Sequence, residues 1–309
     1  MKKLLALTSA IVAGFASTAS ADVAVSGSGK IGVINDGAAA SNKTQVQMGA
    51  GVAFDLSTTT ANGMTISTSM GLTRTTSVGD TAATVGGGEV FTFATDGMSM
   101  SIGNMKVLGR DTGAVGSVIS DFMANESIAA SAESDLDDVK GQGVAIKTSM
   151  GSAAVGFQYN WDGDPTDNKG STDATTSQMG VSASLPMGDI TLGLGYAAYD
   201  DSTTNNTTTG ASVAYAIGGG TITVGYQSTT ELNNNATQTS GNYKGSLDAD
   251  TSFGIGYSSV KEASNSSTRT TANLSRSLGG GASVFAEIDN RAGAGTAGTA
   301  FSVGTSVSF

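Results

Sequence analysis

The sequence predicts an all-β fold in which sixteen antiparallel strands close into a transmembrane barrel. Apolar and polar residues alternate with a period of two along most of the chain, as in a strand whose two faces meet different surroundings. After residue 21, no apolar run reaches the ~18 residues that a membrane helix needs. Tight turns and long polar connections also alternate along the chain, as they do in barrels of outer membranes.

The first 21 residues have the pattern of a secretory signal peptide. Lys2 and Lys3 give a basic start, residues 4–16 are apolar, and residues 19–21 form a small-residue cleavage site. We therefore expect residues 1–21 to be removed on export. Residues 22–309 are expected to form a single barrel in the cell outer membrane.

The composition argues against an enzyme and against binding of nucleic acid. The chain has no cysteine and no histidine, so thiolate chemistry and the commonest general base are absent. Its net charge of −11 disfavours contact with the phosphates of nucleic acid. We therefore expect no catalytic residues, no cofactor and no resident metal.

The alternation is clearest in residues 43–57, where Val46, Met48, Val52 and Phe54 occupy even positions among small and polar residues. The sixteen strands are predicted at 22–34, 43–57, 63–76, 89–95, 98–106, 141–149, 152–161, 177–186, 189–199, 209–217, 221–229, 237–246, 251–260, 268–278, 282–290 and 299–309. An even number places both chain ends on the periplasmic side. A barrel of this size encloses water, whereas about eight strands would fill their interior with side chains.

The outward residues divide the barrel into two faces. Six tyrosines lie on the apolar parity of their strands and predict an aromatic girdle against lipid and lipopolysaccharide; they are Tyr159, Tyr196, Tyr215, Tyr226, Tyr243 and Tyr257. The first five strands have neither tyrosine nor tryptophan and carry methionines outward instead, namely Met48, Met64, Met70, Met98 and Met100. We interpret this second face as a subunit interface.

Residues 107–140 form a connection too long for an ordinary loop. Val115, Val118, Ile119, Phe122 and Met123 recur at helical spacing and predict a short amphipathic helix. We predict that this loop folds into the lumen and constricts it. The predicted constriction residues are Arg110, Asp111, Asp121, Glu126, Glu133, Asp135, Asp137 and Asp138. The alternative is a solvated external loop whose acids only keep it soluble.

Strand parity also predicts which charged side chains point into the lumen. They are Lys30, Asp55, Lys147, Lys244, Arg269, Glu287 and Asp289. Fixed charges along a pore set its ion preference through the local potential. With seven acids in the loop against Arg110 alone, the balance predicts a weak preference for cations.

Several short motifs resemble the general porins of Gram-negative bacteria, of the alphaproteobacterial type. They are the start at residues 22–27 (Asp-Val-Ala-Val-Ser-Gly), residues 88–91 (Gly-Glu-Val-Phe), residues 100–104 (Met-Ser-Ile-Gly-Asn) before the long loop, and the terminal Phe309. The resemblance implies a homotrimer of 16-stranded barrels with an inward third loop. It also implies that Phe309 belongs to the signal recognised by the outer-membrane barrel assembly machinery. Unlike many general porins, strands 1–4 offer only Lys30 inward, with Arg74 near an outer rim.

The sequence therefore predicts a porin that lets small hydrophilic solutes and ions diffuse passively across the outer membrane. A substrate-specific channel is one alternative, although only Tyr199 and Phe285 are inward aromatics. A structural surface protein or adhesin is another, although no fixed short repeat is present. Calcium could also bind to loop carboxylates, namely Glu133, Asp135, Asp137, Asp162, Asp164 and Asp167.

Overall fold

The fold consists of strands joined in chain order. The computed structural model describes residues 21–36, 44–76, 83–87, 90–106, 140–162, 177–200, 205–230, 235–262, 265–293 and 297–309. The strands are β1 (Ala21–Asp36), β2 (Thr44–Thr59), β3 (Thr65–Thr76), β4 (Ala83–Gly87 and Val90–Thr95), β5 (Met98–Lys106), β6 (Lys140–Met150), β7 (Ala153–Asp162), β8 (Ser177–Met187), β9 (Ile190–Asp200), β10 (Asn205–Ile217), β11 (Gly220–Thr230), β12 (Asn235–Ser246), β13 (Thr251–Glu262), β14 (Asn265–Gly279), β15 (Ala282–Gly293) and β16 (Gly298–Ser308). In the part of the chain that the model describes, no helix is long and apolar enough to cross a membrane.

The sheet is closed. Each strand pairs antiparallel with its neighbours in the chain, and β1 pairs with both β2 and β16. Both segments of β4 pair with β3, and the register shifts by about two residues between them. The predicted closed 16-stranded barrel is confirmed. Closure leaves no sheet edge with unpaired backbone groups, which lipid could not satisfy.

The strands are strongly staggered around the ring. A path that starts on β1 and passes from each residue to its partner on the next strand goes once around the barrel. It returns to β1 about 20 residues beyond its starting residue. With standard strand spacings, sixteen strands and this stagger give a tilt of roughly 40° and a backbone radius of about 16 Å. The barrel is therefore far too wide to be filled by the side chains of its own wall.

The two faces of the wall have opposite chemistry. On β11, Val224 and Tyr226 on the outer face are each 51% exposed, whereas Gln227 and Thr229 on the inner face are 7% and 3% exposed. The same alternation runs around the ring, with large apolar side chains exposed outside and small or polar ones inside. An apolar exterior around a polar interior is the arrangement of a membrane barrel.

One end of the barrel carries tight turns and is called here the turn end. Residues 96–97, 151–152 and 188–189 join consecutive strands there. Gly97 and Gly151 have φ angles of 79° and 65°, which two-residue hairpin turns require and which residues other than glycine rarely adopt. The connections at the opposite end lie outside the described residues.

The strands are longer than the apolar alternation predicted. Ala83–Gly87 was expected to be loop but pairs with β3; its two glycines have no side chain to mark a face. β10, β12 and β14 also begin two to four residues earlier than predicted. These extensions consist mainly of Asn, Ser and Thr on both faces, so hydropathy does not distinguish them from a polar loop.

Candidate functional site

The inner wall of the barrel is the candidate site, since the residues lining a channel determine what passes through it. The predicted constriction residues all lie outside the described part of the chain; they are Arg110, Asp111, Asp121, Glu126, Glu133, Asp135, Asp137 and Asp138. The predicted short helix and the inward fold of residues 107–140 therefore stay predictions. The same holds for loop calcium, because only the backbone of Asp162 is described among its proposed ligands.

A buried ion cluster lies on the inner face of β14 and β15. Arg269 and Arg291 face each other across the two strands. Their Nε atoms donate to Asp289, at 2.9 Å to Oδ1 and 2.7 Å to Oδ2. One carboxylate thus holds two guanidinium groups side by side, and the three side chains are nearly inaccessible to solvent. Buried charges are tolerated where they are paired and hydrogen-bonded in this way.

A second acid lies beside this cluster. Glu287 is 5% exposed, and its Oε2 accepts a hydrogen bond of 2.9 Å from the hydroxyl of Ser302 on β16. Of the three acids predicted to point inward, Glu287 and Asp289 are buried in polar networks, whereas Asp55 on β2 is exposed. Asp55 is therefore the one of these three acids whose charge lies directly against water.

The predicted inward lysines lie apart from one another. Lys147 on β6 and Lys244 on β12 are exposed near the turn end, and Lys30 on β1 is partly exposed. The structure thus brings Arg269, Glu287 and Asp289 together on adjacent strands and leaves Lys30, Asp55, Lys147 and Lys244 spread around the ring.

Burial of the inner wall is uneven. In the half of the barrel away from the turns, many inner side chains from β7 to β16 are buried; Gln178 is 1% and Ser240 5% exposed. On β3, by contrast, the inner residues Ser69 and Thr73 are exposed. The inner side chains of this half of the wall are thus covered from β7 to β16 and exposed on β3.

An amide cluster on β7 and β8 was not predicted. Gln158, Asn160 and Gln178 are at most 1% exposed. Asn160 Nδ2 donates to Gln178 Oε1 at 3.1 Å, and Gln158 Nε2 donates to Asn160 Oδ1 at 2.8 Å. Their even positions in the alternating pattern could have placed all three on the inner face. Amides are ordinary residues for a polar lumen, however, and the sequence does not show the pairing of β7 with β8 that brings them together.

Arg291 was also missed, because its strand was predicted to end at residue 290. β15 continues to Gly293, and Arg291 is 7% exposed on the inner face. Glu287, Asp289 and Arg291 share odd positions, so extending the same parity by one step would have found it.

The seam between β1 and β16 is closed at the turn end by the last residue. Phe309 and Gly27 exchange two backbone hydrogen bonds, of 2.9 and 3.0 Å. The Phe309 ring lies over the Gly27 backbone, since a Cβ built on Gly27 would be 2.1 Å from Cζ of the ring. Phe309 itself is 83% exposed on the outer face.

A family model described as Gram-negative porin matches residues 6–293. The chain belongs to the Gram-negative porin family. This porin is therefore an integral multi-pass barrel of the outer membrane and forms a channel, in a family of non-enzymatic channels. The resemblance inferred from short motifs is confirmed.

Solved structures similar to this porin share its fold. A loop-deletion mutant of OmpT, an outer membrane protein of Vibrio cholerae, has a TM-score of 0.70 and 16% identity, covering 94% of this chain and 99% of its own. A triple mutant of the Rhodopseudomonas blastica porin has a TM-score of 0.67 and 19% identity, and the match covers 93% of this chain and 100% of the mutant. An anion-selective porin from Comamonas acidovorans has a TM-score of 0.70 and 12% identity, and the match covers 94% of this chain and 100% of that porin. A search of curated protein sequences found no match.

Proposed function

We propose that this porin is a passive diffusion channel for small hydrophilic solutes and ions, with a weak preference for cations. The observation that carries the proposal is the polar inner wall of a closed barrel with a radius of about 16 Å. Such a lumen holds water, and a wall of Ser, Thr, Gly and amides can exchange hydrogen bonds with solutes without retaining one of them.

Residues 107–140 are proposed to narrow this lumen and to supply its negative charge. The uneven burial supports this, because the inner side chains from β7 to β16 are covered and those of β3 are not. The water path would then run along β2 and β3, past Asp55.

Single-channel recording in a planar bilayer tests the proposal. The expected result is conductance in steps of three with a reversal potential on the cation side under a KCl gradient. Replacing Asp135, Asp137 and Asp138 by Asn should move the reversal potential towards zero, since fixed charge at a constriction sets the local ion concentration. An unchanged potential would place these acids outside the lumen, and no channels at all would contradict a porin function.

A preference for anions is the second candidate, favoured by the wall itself. The inner side chains described include five basic ones, Lys30, Lys147, Lys244, Arg269 and Arg291, against three acidic ones, Asp55, Glu287 and Asp289; Asp22 and Glu262 lie within one residue of a strand end. Lys147→Gln with Lys244→Gln separates the two candidates, because both lysines are exposed and their loss should not disturb folding. A large shift towards cations in this variant, with little effect of the three Asn substitutions, would favour the anion channel.

We also propose a homotrimer that contacts lipid and lipopolysaccharide through the rest of its outer surface. Met48, Met70 and Met98 are exposed on the outer face of β2, β3 and β5, where no tyrosine or tryptophan marks a lipid interface. Tyr159, Tyr226 and Tyr257 are exposed on the other side, as in an aromatic girdle. Phe309 is proposed to belong to the signal for the barrel assembly machinery.

A further inference from the structure

Two glycines on neighbouring strands create a slot in the inner wall beside β7. Gly103 on β5 pairs with Gly143 on β6, and Gly143 pairs with Asn160 on β7. Gly103 has a φ of 146°, in the region that favours glycine. A Cβ on Gly143 would be 2.0 Å from Asn160 Oδ1, so the Asn160 side chain occupies the space that a side chain at residue 143 would take.

Through this slot Asn160 reaches across a whole strand. Its Nδ2 donates to the backbone carbonyl of Met105 on β5, at 3.0 Å. Gln158 and Gln178 hold the same amide in place from β7 and β8. Asn160 is 0% exposed, and because its amide oxygen and amide nitrogen are both hydrogen-bonded, its side chain is held in one arrangement.

The position of this contact in the chain is informative. Met105 is one residue before the end of β5, which is followed in sequence by the connection 107–139. β6 also has a register irregularity at Gln142 and Gly143, so ladder bonds are disturbed at the same level. The end of β5 is thus held by a side chain from β7 as well as by its pairing with β6.

We propose that Asn160 is a positioning residue for the pore: its bond to Met105 across Gly143 fixes where β5 leaves the wall and so sets the conductance of the open channel. This inference rests on the proposed function, because it requires that the segment following β5 narrows the lumen. Asn160 acts through Met105 and need not touch any solute. Without the bond, the end of β5 should adopt more than one position, and the channel should show more than one conductance level.

Asn160→Asp tests the bond by its dependence on pH. An ionised carboxylate cannot donate to the Met105 carbonyl and repels it, whereas a protonated acid group has one O–H that can donate to this carbonyl, although it cannot also replace the bond to Gln178. The variant is folded at pH 4, inserted in a planar bilayer, and recorded at pH 4 and pH 8 beside the wild type. We expect the variant to match the wild type at pH 4. At pH 8 the occupancy of sub-conductance levels should rise about fivefold, the factor for one neutral hydrogen bond.

Asn160→Leu and Thr229→Val complete the design. Asn160→Leu keeps the number and branching of the side-chain heavy atoms but has no donor, so its sub-conductance levels should be raised at both pH values. Thr229→Val removes a different buried wall bond, that of 3.0 Å between Thr208 and Thr229 on β10 and β11, and should leave the channel unchanged. Trimer melting of each variant is measured in parallel to monitor folding.

Three outcomes would overturn the proposal. The first is that Asn160→Asp conducts like the wild type at pH 8. The second is that the sub-conductance levels of Asn160→Asp are raised equally at pH 4 and pH 8. The third is that Thr229→Val raises the sub-conductance levels as much as Asn160→Asp does, which would indicate general loosening of the wall. If the wild type itself forms no channels, the proposed function fails and this inference fails with it. A conducting wild type with unaffected variants removes only the role of Asn160.

Discussion

At the level of single residues, Gly27 and Phe309 are in close contact at the seam. The terminal ring covers the glycine on the lipid-facing side, where β1 would otherwise present bare backbone next to the last strand. An aromatic ring over a glycine in a neighbouring strand is a known way of stabilising a pair of strands. The same contact buries Gly27 while leaving most of Phe309 exposed.

Gly27→Val should therefore weaken the closed barrel, because its side chain and the Phe309 ring cannot share the site. We expect a loss of about 1–3 kcal/mol, as for other overpacked positions, measured as a lower unfolding temperature in detergent. Gly241→Val on β12 is the matched control on the outer face, since its Cβ would be 3.6 Å from Val224, an ordinary contact. Combining Gly27→Val with Phe309→Ala should recover part of the loss; no recovery would mean that the ring is not the cause.

Residue-level reasoning from sequence addressed the face of the strand on which a side chain lies, but not its hydrogen-bond partners. Alternation assigned Arg269 and Asp289 to one parity, but it could not show that a carboxylate on β15 bridges arginines on two strands. Asn160 and Gly143 meet only because of a register fixed by the pairing of β6 with β7. Contacts across strands depend on register, and hydropathy carries no information about it.

At the level of elements, the turn between β12 and β13 is stabilised by one carboxylate. Asp248 Oδ1 accepts from the backbone N–H groups of Asp250 and Thr251, at 2.9 and 2.7 Å. Its Oδ2 accepts from the Thr251 hydroxyl at 3.1 Å. Side chains of this type commonly replace backbone bonds in turns. The turn lies at the turn end, outside the membrane-spanning part of the strands.

The turn should consequently depend on pH. Hydrogen bonds from the Asp250 backbone and then from the Thr251 side chain hold the pKa of Asp248 below its ordinary value of 3.8. Because this pKa is lowered in the folded state, Asp248 stabilises the turn above pH 3.8. The stabilisation is lost as the pH falls through the pKa that Asp248 has in the folded protein. The protection factor of the Thr251 amide, measured by NMR in micelles and corrected for the intrinsic pH dependence of exchange, should fall in acid. Asp248→Ala should exchange about tenfold faster already at pH 6; equal rates would show that the carboxylate does not hold the turn.

The strand ends show why elements were predicted incompletely. Within the apolar band, outward residues alternate with small and polar ones, and the predicted strands there match the observed ones. Beyond the band both faces are polar, so β10, β12 and β14 continue where no alternation marks them. The backbone ladder extends past the membrane because hydrogen bonding between strands does not require apolar side chains.

At the level of the whole molecule, the outer surface predicts how copies of the barrel assemble. Met48→Glu with Met70→Glu should reduce the trimer fraction on a native gel while leaving a folded barrel, since a charge in a packed apolar contact has no partner. Val224→Glu, on the face that carries the exposed tyrosines, is the control. It should lower the yield of folded barrel, because lipid disfavours the charge, without changing the trimer fraction of what folds. A trimer unaffected by both methionine changes would move the interface elsewhere.

The pairing of β1 with β16 has a consequence for how the barrel forms. Every other pair of neighbouring strands in the described barrel is also consecutive in the chain, so those contacts have low contact order and need only local loop closure. The seam alone joins residues from opposite ends of the sequence, and its loop-closure entropy is the largest of any pair. Formation of the hairpins and circularisation of the sheet are thus separable events, and the second depends on the pairing of residues 28–36 with residues 300–308 and on the contact of Gly27 with Phe309.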